Sequence, residues 1–169
     1  DADVVLTSGV SGALELALGA LANEGDNVLL PQPGFPLFKT ILDGFGVECR
    51  YYRVLPDHSW EVAVEDLAQL ADDRTVAIVI NNPSNPCGSV FSASHLKSVV
   101  DAAAELSLPI VADEVYADMV FGDRSFVSVA SVSRDVPVLS VGGISKQFVV
   151  PGWRLGWLLI HDRNGVLEA

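Results

Sequence analysis

Residues 138–157 read VLSVGGISKQFVVPGWRLGW. The apolar run that begins at Val138 leads into Gly142-Gly143, and a second apolar run starts after Arg154. A short apolar run bounded by turn signals reads as a buried strand. A glycine pair within one marks a sharp turn or a close approach of backbone. Lys146 is therefore expected at a strand end, on a turn beside an apolar sheet. A lysine held there tends to lose solvation, which eases its deprotonation to a nucleophile. The stretch alone also fits an ordinary solvated lysine, so the choice falls to the rest of the chain.

Outward from this stretch, apolar strands alternate with helices. Residues 4–6, 28–30, 47–54, 76–80 and 110–112 read as strands. Helical patterns follow Gly12, run from Phe35 to Gly44 and over 64–70, and continue through Leu96, Val99, Val100, Ala103 and Leu106 after a cap at Ser92 or Ser94. Residues 56–59 read as a loop. The run 76–80 holds only β-branched residues and alanine, the composition of a central strand buried on both faces. No internal repeat, low-complexity tract or linker interrupts the pattern. The predicted fold is α/β, one layered domain over residues 1–169 with a mostly parallel sheet.

Composition agrees with such a sheet. The chain has 169 residues, half of them apolar or aromatic, and a mean hydropathy of +0.37. No apolar run approaches the roughly 18 residues of a membrane span, so no membrane partner is expected. Ten basic against twenty-two acidic residues give a net charge of -12, which opposes general nucleic-acid binding. One small anion gripped by a placed cation stays possible. Cys49 and Cys87 fit no zinc or redox spacing and point to a reducing compartment, and the scattered histidines suggest no metal site. The chain starts at Asp1 rather than methionine and stops where a further helix is expected, so a piece of a longer protein is anticipated.

The strand ends carry the chemistry. Thr7-Ser8-Gly9-Val10-Ser11-Gly12 joins a strand to a helix, where free backbone N–H groups can hold a phosphate. The alternative there is that Ser8 or Ser11 simply caps the helix. This turn is not GxGxxG, which disfavours a dinucleotide-binding dehydrogenase, and neither it nor GGISKQ is a Walker loop. Phe35, after Pro31-Gln32-Pro33-Gly34, either stacks on a flat ligand or belongs to the core. Residues 81–88, NNPSNPCG, form a rigid loop at a strand's carboxyl end, where open α/β sheets place ligands. Asp113 ends an apolar strand and needs either a cation or solvent. For Glu114 and Asp118 the solvated reading is preferred. With Asn85, Tyr116, Lys146 and Arg154 these groups suit one ligand, a flat, aldehyde-bearing, phosphorylated pyridine.

SNPCG, ADEVY and SKxxxxPGWRLGW, in this order, resemble the pyridoxal-phosphate aminotransferases of fold type I. NNPSNPCGSVFS, LTSGVS and LLPQPGFPLFKT are similar to the tyrosine aminotransferase branch in particular. The resemblance covers essentially the whole chain. It implies a three-layer α/β/α large domain that binds pyridoxal 5'-phosphate, with Lys146, Asp113 and Tyr116 in catalysis. Lys146 bonds to the cofactor's aldehyde and later moves the substrate's α-proton. Asp113 keeps the pyridine nitrogen protonated, and Asn85 and Tyr116 donate to the ring's 3-oxygen. Arg154, Val10 and Ser11 hold the phosphate, while Phe35 stacks on the ring. No metal is implied.

Many relatives carry a serine where this chain has Gly143, a difference shared with the tyrosine branch, and whether Ser145 substitutes stays open. The resemblance also implies amino acid and 2-oxo acid substrates, namely tyrosine or another aromatic amino acid with 2-oxoglutarate. It further implies a role in amino acid metabolism, a homodimer, and a cytoplasmic site with the mitochondrion left open. The substrate-carboxylate arginine is expected beyond Ala169, in a small domain, and a substrate-closing segment before Asp1. The isolated 169 residues are accordingly expected to be nearly inactive. Two alternatives remain: a carbon–sulfur lyase using the same cofactor, and a binding module that keeps the fold without turnover.

Overall fold

A computed structural model describes residues 3–167. In chain order its elements are β1 (Asp3–Ser8), α1 (Gly9–Leu21), β2 (Asn27–Gln32), α2 (Leu37–Gly44), β3 (Glu48–Leu55), a 3-10 turn (Pro56–His58), β4 (Glu61–Val62) and α3 (Val64–Leu70). There follow β5 (Thr75–Asn81), α4 (Ala93–Glu105), β6 (Ile110–Asp113), α5 (Val129–Val132), β7 (Val138–Gly143), α6 (Ile144–Gln147), a second 3-10 turn (Pro151–Trp153) and β8 (Leu155–His161). The expected strands and longer helices all form. β4 and α5, absent from the sequence reading, are too short to show a periodicity, and the expected loop at 56–59 contains the first 3-10 turn.

The strands form one sheet in the order β1-β8-β7-β6-β5-β2-β3-β4. The block β3-β2-β5-β6-β7 is parallel throughout. β8 runs antiparallel to both β7 and β1, and β4 antiparallel to β3. Because both neighbours of β8 oppose it, β1 points the same way as the parallel block. The reversal has a simple cause. Only residues 144–154 separate β7 from β8, fewer than the dozen or more that a parallel crossover needs, so the chain doubles back.

Alternation along the central strands builds two cores, one on each face. Leu29, Ile78, Ile80, Ile110 and Ala112 pack with α3, α4 and α5, while Val28, Leu30, Ala77, Val79 and Val111 pack with α1 and α2. The architecture is therefore the three-layer α/β/α arrangement. Leu29, Ile78 and Ile110 are fully buried, and truncating one such side chain to alanine costs about 2–5 kcal/mol. β1, at the sheet edge, differs: Val4 and Leu6 stay 62% and 71% exposed.

Local signals resolve case by case. Ser92 caps α4 by accepting from the His95 N–H at 3.1 Å. Ser8 occupies the cap position of α1 but makes no side-chain hydrogen bond there, and neither it nor Ser11 caps that helix. Gly142-Gly143 marks a close approach rather than a turn: Gly143 is extended (φ 177) and β7 runs through it. A Cβ on Gly142 would lie 2.5 Å from Trp157 Nε1, and one on Gly143 2.9 Å from Val10 Cγ2. The first turn of α1 can thus lie directly against β7 and β8. Cys49 and Cys87 are free thiols. Among the described residues, no helix is long and apolar enough to cross a membrane.

Candidate active site

The carboxyl ends of β1, β2, β5, β6 and β7 and the start of the reversed β8 reach one edge of the sheet. Open α/β sheets hold ligands at this edge. A cavity of about 200 Å³ lies there. The start of α1 contributes Val10 and Ser11 to its wall, the turn after β2 contributes Phe35, and the loop after β5 contributes Asn85. Asp113 comes from the end of β6, Tyr116 from the turn that follows it, Lys146 from α6 and Arg154 from the turn before β8. All eight site residues expected from the sequence line this one cavity. A wider groove of about 460 Å³ opens beside it and shares Asn85 and Tyr116.

Asp113 is 3% exposed, so the solvated alternative for it does not hold. The Val115 N–H donates to its Oδ1 at 3.2 Å. Burial pushes its carboxyl up to about 6, opposed by that N–H and by the nearby charge of Lys146. Lys146 sits inside the one-turn helix α6, immediately after β7, and remains exposed rather than losing its solvation. Its Nζ lies 5.8 Å from the centre of the Tyr116 ring. Phe35 is half-buried and packs edge-on against Phe38, with ring centres 5.8 Å apart, while also lining the cavity. It therefore does both things the sequence left open.

Arg154 adopts the left-handed conformation (φ 49, ψ 41), which costs a non-glycine residue about 1–3 kcal/mol. Its guanidinium donates to the Pro151 carbonyl at 2.9 Å and to the Ser8 carbonyl at 3.3 Å. It thereby lies over Gly9, at the start of α1, where a side chain would collide with it. Guanidinium, uncapped helix start and helix dipole together favour an anion at this corner.

The family model for aminotransferase class I and II matches residues 1–168. The chain belongs to the aminotransferase class I and II family. A tyrosine aminotransferase from Homo sapiens is 52% identical over 164 residues, covering 97% of this chain and 36% of the human protein. The crystal structure of tyrosine aminotransferase from Leishmania infantum matches with a TM-score of 0.95 at 47% identity, covering 98% of this chain and 40% of that one. An S-alkyl-thiohydroximate lyase from Arabidopsis thaliana is 43% identical over 167 residues, covering 99% of this chain and 36% of the lyase. This aminotransferase-family chain thus spans well under half the length of these relatives.

Three further residues at or beside the cavity are missed or left open by the sequence alone. Asn81, 4% exposed, accepts from the Asn85 N–H at 2.7 Å and donates to the Asp113 carbonyl at 3.3 Å. It ties the asparagine loop to the end of β6; its only signal in the sequence was an amide ending a buried strand. The Ser145 hydroxyl is buried on the cavity wall and has no hydrogen-bond partner among the described residues. Glu114 corrects an expectation: it is partly buried, not solvated, and its carboxylate accepts from the Val129 N–H and the Ser128 hydroxyl. Burial pushes its carboxyl up to about 7, those two bonds opposing. Nothing local shows this, because its partners lie 14 and 15 residues away. Asp118 is exposed, in line with expectation.

Proposed function

We propose that this chain is the pyridoxal-phosphate-binding large domain of an aminotransferase. The reaction moves the amino group of L-tyrosine, or another aromatic amino acid, to 2-oxoglutarate. The observation that carries this reading is convergence: an amine, a buried carboxylate, a phenol, an amide, an aromatic face and a guanidinium line one cavity of about 200 Å³.

The donor set fits the cofactor part by part. Asp113, a buried carboxylate in no ion pair among the described residues, suits a protonated pyridine nitrogen. Asn85 and Tyr116 suit the ring's 3-oxygen. Arg154 offers a planar fork to the phosphate, and the main chain at Val10 and Ser11 offers N–H donors. Phe35 offers a stacking face. The Ser145 hydroxyl, without a hydrogen-bond partner among the described residues, is one more donor on the same wall.

When bound, the cofactor would supply an electron sink for the charge left as the substrate's Cα loses its proton. The Lys146 amine would hold the cofactor's aldehyde and, once displaced by substrate, remove the Cα proton as a general base. Asp113 would hold a proton at the pyridine nitrogen throughout. Arg154 and the start of α1 would fix the phosphate end, so that Lys146 meets the same Cα–H in each cycle.

The test uses the full-length protein with L-tyrosine and 2-oxoglutarate. Equal amounts of glutamate and 4-hydroxyphenylpyruvate are expected. The similarity to an S-alkyl-thiohydroximate lyase favours a second reading, carbon–sulfur cleavage. Absence of glutamate, with pyruvate, ammonia and a thiol released from a cysteine S-conjugate, would select it. The 169 residues alone are expected to show little turnover. A homodimer belongs to the same reading, supported by Phe148, Val149 and Trp153, which stand 67%, 80% and 76% exposed between Lys146 and Arg154. Sedimentation equilibrium giving a monomer mass would remove that part.

A further inference from the structure

The carboxylate next to Asp113 has no part in the chemistry above. Along β6, Val111 packs in the core beneath α1 and α2, and Ala112 in the core beneath α3, α4 and α5. Strand alternation then sends Asp113 to the cavity face and Glu114 to the α5 face. There every polar group of Glu114 is engaged. Its N–H donates to the Val141 carbonyl at 3.0 Å, and its own carbonyl accepts from the Ala117 N–H at 2.9 Å. Its Oε1 accepts from the Val129 N–H at 2.8 Å and its Oε2 from the Ser128 hydroxyl at 3.0 Å. One residue joins β6 to β7, to the turn that carries Tyr116, and to the start of α5.

We propose that Glu114 is a positioning residue for the transfer reaction: by clamping the end of β6 to the start of α5, it sets the backbone rotation that puts Asp113 and Tyr116 on the cavity wall. This rests on the aminotransferase reading above. The four residues from Asp113 to Tyr116 are consecutive, so rotating the peptide after Glu114 moves both functional side chains. The Val115 N–H that holds the Asp113 carboxylate is in that peptide unit, and its 3.2 Å bond is at the long end of the normal range. A small rotation breaks it. Without the Glu114 side chain, the Val129 N–H also loses its acceptor at a helix start, where no intrahelical partner exists.

The clamp needs an acceptor and the right length rather than a charge. A glutamine oxygen can accept from the Val129 N–H while its NH2 donates to the Ser128 oxygen, because a hydroxyl both donates and accepts. Burial already pushes the Glu114 carboxyl up to about 7, which fits a place that tolerates a neutral group. Leucine has similar bulk and no acceptor. Glu114→Gln should therefore preserve what Glu114→Leu destroys.

The experiment compares these variants in the full-length protein, first without cofactor. In hydrogen–deuterium exchange, peptides covering Val115 and Val129 should exchange about tenfold faster in Glu114→Leu, the factor expected for one lost hydrogen bond, and at the native rate in Glu114→Gln. With pyridoxal phosphate added, the pH midpoint of the visible absorbance change should move by about 0.5 or more in Glu114→Leu. Its kcat for tyrosine should fall by about tenfold with KM little changed, and glutamine should restore both. Native exchange together with an unmoved midpoint in Glu114→Leu overturns the proposal. So does glutamine behaving like leucine, which would make charge the operative property. If Glu114→Leu does not fold, Ser128→Ala, which removes one of the two donors, should move both readouts in the same direction by less, and no movement overturns the proposal. Faster exchange in a protein that binds no pyridoxal phosphate leaves the clamp standing and sinks the reading of the site.

Discussion

The two ends of this sheet handle their polar groups in opposite ways. At the amino ends of β2 and β5, Asn27 donates to Asp72 at 2.8 Å, the Thr75 hydroxyl donates to Asn27 at 2.7 Å, and Arg50 Nη2 lies 2.7 Å from Asp72 Oδ2. The Asn27 amide first, and then Arg50, hold the Asp72 carboxyl down to about 2. At the carboxyl ends, the Asp113 carboxyl, held by one backbone N–H, is pushed up to about 6 by burial, and the Ser145 hydroxyl has no partner among the described residues. The first set closes on itself and stabilises the fold. The second leaves valences open at a cost in stability, the pattern of a place built to meet a ligand.

If that contrast is right, the carboxyl end should yield function without stability, and the amino end the reverse. Replacing Lys146 by alanine in the full-length protein should cut glutamate formation by about 10⁴ or more and abolish the borohydride-trapped cofactor adduct. Its urea midpoint should hardly move, because the side chain is exposed. Trapping that persists would place the reactive amine elsewhere and break the contrast at its strongest point.

Asp113→Asn should slow the tyrosine half-reaction by about 10²–10³, the size of a lost charge stabiliser at a reacting centre. The same change should stabilise the cofactor-free protein at high pH. The Asp113 carboxyl titrates near 6 when folded against an ordinary 3.8, so the native protein loses stability as pH rises through that window. At pH 8 the loss is up to about 3 kcal/mol, and asparagine removes it. Urea unfolding at pH 5 and pH 8 measures the difference. A variant no more stable than the native protein at pH 8 would mean that Asp113 is not strained by burial.

At the amino end, Asn27→Ala should cost about 1–3 kcal/mol in urea unfolding, because the buried Thr75 hydroxyl loses its acceptor, with kcat and KM for tyrosine unchanged. A shift in kcat would show that the two ends are coupled. The smallest effect is expected from Asp72→Asn. Because the folded carboxyl is depressed from 3.8 to about 2, its stabilisation is present above the higher value and is lost as pH falls toward the lower. The variant's acid-unfolding profile should be flatter across that window alone, and less so in high salt.

Much of the site was legible because its signals are local. Pro-rich and Gly-rich turns at strand ends, a carboxylate closing an apolar run and a lysine after a glycine pair each lie within a few residues of sequence, and all eight named residues meet at one cavity. The misreadings have a common cause. Glu114 reads as solvated in the sequence because its partners, Ser128 and Val129, come from the start of the next helix rather than from its own strand. Asn81 gives no functional signal in the sequence because an amide at a strand end acquires meaning only once β5 and β6 are paired and the Asp113 carbonyl lies beside it.

The order of residues by itself determined the alternation of strand and helix, the burial of the central strands on both faces and the identity of the groups at their carboxyl ends. These follow from backbone periodicity and turn chemistry, which act over short spans. Only the folded molecule decided that β8 runs backwards beside β1, that Arg154 therefore lies over the start of α1, and that neighbouring carboxylates at 113 and 114 face opposite layers with different partners. Those outcomes depend on which strands pair and on what they exclude from water, and both are set by contacts between residues far apart in the chain.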